Sequence, residues 1–124
     1  MGTIRKFEDL EVWKKARALK IDIRKLTLTF PPEEKFRLCD QLVRSSRSVN
    51  SQLAEGHGRR TYPDRLRFCI IARGSLSETL NHLIDALDEN YITETVFNEY
   101  KAKIAEVEKL LNGYIHYIEK KIAP

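Results

Sequence analysis

Glu78, His82 and Asp85 stand four and three residues apart, the spacing that gathers side chains on one face of a helix. On a wheel of 100° per residue they share an arc of about 60°, and an imidazole between two carboxylates could begin a metal site. Metal sites in helix bundles also draw carboxylates from facing helices, commonly with Glu and His three apart. Here Glu and His are four apart, and the neighbouring helix offers Arg37 and Arg44. A solvated or ion-paired polar face is therefore expected, and no metal or other cofactor is assigned.

Gly56-His57-Gly58-Arg59-Arg60 has the glycines and cations of a phosphate cradle. A phosphate loop follows a strand and opens a helix, whereas these glycines close one. The segment reads as a helix C-cap, with Gly56 and Gly58 able to turn left-handed, beside a basic loop. Arg59 and Arg60, with Arg44 and Arg47 on the preceding helix, are candidates for contacting the phosphates of a nucleic acid. Gly74-Ser75-Leu76-Ser77-Glu78 lacks the second glycine of a nucleophile elbow and falls in mid-helix, where Ser75 suits a close helix approach. Cys39 and Cys69 should lie roughly 18 Å apart along an antiparallel pair, at ~1.5 Å per residue, beyond disulfide reach. Both read as small, reduced core residues. With 3 His and no Ser/His/Asp or Cys/His set placed to meet, no enzyme activity is expected.

Helices must position these residues. The 124-residue chain is 42% hydrophobic and 32% charged, with 5 Gly and 4 Pro, which excludes disordered, collagen-like and turn-rich all-β chains. One domain over residues 1–124 fits that length. The spacing predicts helices over about 9–29, 33–56, 63–90 and 93–121. Pro31-Pro32, the stretch from Gly56 to Pro63, and Asn90 to Thr93 are the breaks, with Thr61 and Thr93 as start signals. Short connections make this an all-α, antiparallel up-down-up-down four-helix bundle.

The first helix carries two apolar stripes. Val12, Ala16, Leu19, Ile23, Leu26 and Phe30 share an arc of about 80°. Leu10, Trp13, Ile21 and Leu28 lie roughly 120–200° around from it. A lone bundle needs one stripe per helix, so the second predicts an oligomer interface. The second helix should bury Phe36, Cys39, Leu42, Val43, Val49 and Leu53, and the third Cys69, Ala72, Leu76, Leu80, Leu83 and Leu87. In the fourth, Val96, Tyr100, Ile104, Val107, Leu111, Tyr114 and Ile118 form a coiled-coil-like seam.

Antiparallel neighbours at one height have residue numbers with a constant sum. Glu55 with Arg67, Arg44 with Glu78, and Arg37 with Asp85 all add to 122, so they are predicted structural ion pairs. Net charge is +4, split as +6 over residues 1–62 and −2 over residues 63–124. The basic half can attract polyanions, although the excess is small beside that of dedicated nucleic-acid arms. No apolar run approaches the ~18 residues of a membrane span and Met1–Phe7 is no signal peptide, so the expected address is the cytoplasm.

The chain resembles the bacterial four helix bundle protein family, known from open reading frames in intervening sequences of 23S ribosomal RNA genes. The likeness runs from Phe7-Glu8-Asp9-Leu10, Val12-Trp13 and Ala16 through Phe30-Pro31 and Glu34. Gln41, Arg44, Ser48-Val49, Ala54-Glu55-Gly56 and Gly58-Arg59 match its central motif, and Phe68, Ala72, Gly74-Ser75-Leu76 and Glu78 its third-helix motif. Asn50 stands where the family usually has Pro, and Gln52-Leu53 where it usually has Asn-Ile. The resemblance implies an up-down bundle assembled as a homo-pentameric ring. A related branch is the accessory protein of diversity-generating retroelements, whose basic pentamer binds a reverse transcriptase and nucleic acid. The expected function is a non-catalytic homo-oligomer binding RNA or a nucleic-acid enzyme. The alternatives are a protein-protein scaffold without nucleic-acid contact and, more distantly, a metal-dependent enzyme.

Overall fold

The computed structural model describes residues 6–122. Four helices fill nearly all of it: α1 (Glu11–Thr27), α2 (Leu38–His57), α3 (Tyr62–Asp88) and α4 (Glu94–Ile122). Short 3-10 turns, Phe7–Asp9 and Pro32–Glu34, precede α1 and α2, and no strand occurs among the described residues. Thr61 caps α3 by accepting from the Asp64 amide at 3.3 Å, and Thr93 Oγ1 accepts from the Val96 amide at 3.2 Å.

Contacts between helices give their directions. Asn50 Nδ2 donates to the Trp13 carbonyl and Cys39 Sγ to that of Thr27, so α2 runs back along α1. Lys103 meets Asp22 at 3.0 Å and Glu106 meets Lys15 at 2.9 Å, so α4 runs back along α1 as well. The order around the bundle is α1, α2, α3, α4, with α1 diagonal to α3. At one end, Tyr91 Oη donates to Glu34 Oε2 at 2.6 Å while its ring packs on Phe30, fastening the α3–α4 turn to the α1–α2 link. Asn90, with φ 61°, makes that turn.

The core follows the predicted stripes where a regular helix exists. Ile23, Leu42, Leu53, Leu83 and Leu111 are fully buried, each contributing about 1.5–3 kcal/mol by leaving water. Phe36 departs from expectation at 83% exposure. The Pro31-Pro32 turn delays α2 until Leu38, so Phe36 lies outside the helical wheel and Leu38 takes its buried place. Along α4, Phe97 and Ile115 are buried while Val96 and Tyr114 are half-buried, the drift expected of 3.6 rather than 3.5 residues per turn.

The α2–α3 seam is made of small residues. Thr79 Oγ1 donates to Ser45 Oγ at 2.8 Å, the Ser48 and Ser75 hydroxyls meet at 2.8 Å, and Thr79 also bonds the Ser75 carbonyl at 2.9 Å. A Cβ on Gly56 would stand 2.8 Å from Phe68 Cβ, so this glycine serves close packing. Contrary to the left-handed cap expected, no glycine has positive φ and Gly58 stays at −78°. An amide-to-Ala54 carbonyl bond at 3.2 Å closes the last turn without a conformational reversal.

Candidate nucleic-acid interface

The solvent face of α2 lies opposite its buried stripe of Leu42, Ser45, Val49 and Leu53. Arg44 stands there with its side chain 79% exposed, held only loosely by Asp40 of the preceding turn at 3.6 Å. Arg47 is exposed on the same face and makes no ion pair or hydrogen bond among the described residues. Arg37, just before the helix, is likewise exposed and unpaired there. Arg37 to Arg47 therefore forms a cationic row about 15 Å long, at ~1.5 Å of rise per residue.

The turn that follows is braced by its own charges. Arg59 bonds Glu55 at 2.8 Å, approaches Asp64 at 3.7 Å and lies 4.6 Å over the Phe68 ring. Arg67 covers the same ring at 4.6 Å and pairs with Asp64 at 2.9 Å. Arg65 Nε donates to the Arg59 carbonyl at 2.8 Å and its guanidinium stacks on Tyr62. Of the four predicted phosphate contacts, Arg59 is thus committed to its own fold. Arg44, Arg47 and the exposed, unpaired Arg60 retain free donors.

None of the three predicted cross-helix ion pairs forms. Arg44 takes Asp40, Glu55 takes Arg59, Arg67 takes Asp64, and Glu78 and Asp85 flank His82, while Arg37 remains unpaired among the described residues. The register itself is nearly right: Ser45 with Thr79 and Ser48 with Ser75 add to 124 and 123. At those heights it is the inward faces that meet, and the charged side chains point away and pair one turn along their own helices.

Glu78, His82 and Asp85 do come together. His82 Nε2 lies 3.1 Å from Glu78 Oε2 and Nδ1 lies 3.9 Å from Asp85 Oδ2, with Nδ1 buried and lacking a hydrogen bond. No group of three His, Cys, Asp or Glu among the described residues could hold a metal ion. Both cysteines are free thiols. Burial pushes Cys69 up to about 11, and burial followed by the nearby Glu34 carboxylate raises Cys39. Thiols so shifted hold their protons at neutral pH and are poor nucleophiles.

The predicted oligomer stripe divides. Leu10 is only 4% exposed and belongs to the core, because its extended backbone at the α1 N-cap takes it off the helical wheel. Trp13 is half-buried, edge-on to Phe7 at 5.3 Å with Arg17 above it. Ile21 and Leu28 stay in solvent, Leu28 at 72% exposure. A second apolar surface, absent from the sequence reading, is Ile70, Ile71 and Ile84 on the outside of α3. Its signal was available, since α3 is apolar around much of its circumference and one core can cover only part of that.

The helices, their order and the motifs they carry match a known family description. Residues 8–113 match the 23S rRNA-intervening sequence protein family. The chain belongs to that family. A solved structure from Bacteroides thetaiotaomicron, described as a protein of unknown function from the S23 ribosomal protein family, is similar with a TM-score of 0.78. It is 24% identical, and the match covers 85% of this chain and 95% of that one, which supports the shared fold. Comparison with curated proteins gives no match. No helix of this 23S rRNA-intervening sequence protein is long and apolar enough, among the described residues, to cross a membrane.

Proposed function

We propose that this 23S rRNA-intervening sequence protein is a non-catalytic, self-associating bundle that binds RNA through phosphate contacts along α2. The observation carrying this reading is the set of exposed arginines with spare donors: Arg44, Arg47 and Arg60, continued by Arg37. Charge sorting supports it. Residues 11–60 hold 12 Lys/Arg against 6 Asp/Glu, whereas residues 74–100 hold 6 Asp/Glu and no Lys or Arg. A polyanion is drawn to the α1–α2 side and repelled from the far half of α3. Ile21 and Leu28 supply the apolar surface for self-association.

Titrating a short single-stranded RNA at several salt concentrations tests the RNA contact. Binding should weaken as salt rises, and Arg44→Ala/Arg47→Ala/Arg60→Ala together should lower the slope by roughly 2–3, at ~0.7–0.9 per phosphate released. Absence of binding at low salt, or an unchanged slope in the triple variant, would leave a protein-protein scaffold as the reading.

A further inference from the structure

The α1–α2 link forms a groove of about 480 Å³ lined by Leu28, Phe30, Pro31, Pro32 and Val43, with Arg24 and Lys35 among its polar residues. Asp40 is the one carboxylate in it and already has Arg44 as a partner. Arg24 and the adjacent Lys25 have no ion pair among the described residues, and Phe36, next to Lys35, is 83% exposed. This is an apolar cleft with a cationic edge.

On the diagonal helix the pattern is inverted. Ile84 is 40% exposed and is followed within about one turn by Asp85 and Asp88. Asp88 makes no ion pair among the described residues, and Asp85 has only His82 at 3.9 Å. Ile70 and Ser77 continue the outward line from Ile84 at seven-residue intervals. Gly74 lies beside that line with nothing within 4 Å of where its Cβ would be. This ridge is apolar, flat and edged by anions.

We propose that the ridge at Ile84 of one copy docks into the groove at Leu28 of a second copy. The proposal rests on the self-association reading and adds that the contact is head-to-tail rather than like-to-like. Charge selects this pairing: groove on groove sets cations together, ridge on ridge sets carboxylates together, and only groove on ridge joins opposite signs. Topology prevents the two surfaces from meeting within one molecule, since α1 and α3 are diagonal and do not pack on each other. Both surfaces lie at the same end of the bundle, where α1 and α3 finish. Repeating the contact therefore keeps successive copies level, the arrangement that closes rather than climbs.

Mixing two broken surfaces tests the proposal. Leu28→Glu puts an anion in the groove, and Ile84→Lys puts a cation on the ridge; both positions are exposed, so the helix content in circular dichroism should not change. By light scattering, wild type should be oligomeric, each variant alone monomeric, and the equimolar mixture should associate again. Asp88→Lys, which leaves the apolar contact intact, should weaken assembly roughly tenfold at low salt and much less at high salt. An Ile84→Lys variant with wild-type mass, or a mixture of monomeric variants that stays monomeric, overturns head-to-tail docking while self-association stands. A monomeric wild type overturns both.

Discussion

The two seams beside the diagonal pair are built on opposite principles. Between α2 and α3, hydroxyls meet hydroxyls and Gly56 lies against Phe68, so the backbones are close and the polar atoms are satisfied without water. Between α1 and α4, long side chains span the gap: Lys15 to Glu106, Lys103 to Asp22, and Tyr100 Oη to the Asp22 carbonyl. A cleft of about 190 Å³ runs among Lys15, Leu19, Asp22 and Lys103. Close seams fix register and tolerate little, whereas bridged seams tolerate substitution because solvent replaces what is lost.

Gly56→Leu should strain the contrast most. Its new side chain must displace Phe68, costing about 1–3 kcal/mol of overpacking in urea unfolding, although a helix-weakening glycine is removed. Gly74→Ala is the control, since nothing stands within 4 Å of its Cβ position; it should raise stability by up to ~1 kcal/mol. Were both substitutions to act alike, Gly56 would not be a packing residue.

Thr79→Val comes next. It keeps the shape but removes the donor shared with Ser45 and the Ser75 carbonyl, costing about 1–3 kcal/mol by leaving buried groups unsatisfied. Lys103→Met on the bridged seam should cost under ~1 kcal/mol. Its hydrogen bond to Asp22, ahead of the other causes, raises the Lys103 pKa above the usual 10.5. The folded state therefore holds this proton more tightly, so the bridge stabilises fully below the unfolded value and fades as pH rises through the folded one. Wild type and Lys103→Met should accordingly converge in stability above pH 10.5. A gap that widens there would mean the bridge is not what Lys103 contributes.

Helix number, order and antiparallel register were legible in the sequence, because prolines, caps and short links restrict them strongly. The register was within two residues, as the Ser45–Thr79 contact shows. The partners were not legible, because a constant sum gives height along the axis and says nothing about face. The serines of α2 looked like interruptions of an apolar stripe, although they are what brings α3 close. Leu10 and Phe36 were misplaced for one shared reason: each lies just outside a helix, where a wheel does not apply. Arg59 looked free because its brace, Asp64, lies across a turn whose geometry spacing cannot supply.

Tyr91 and Glu34 couple the two inter-helix links at one end, where the phenol's bond to the carboxylate keeps it protonated up to about 12. The opposite end carries both chain termini. Breathing of the bundle therefore starts from the terminal end and spreads toward this latch, so the chain opens like a hinge rather than loosening evenly along its length.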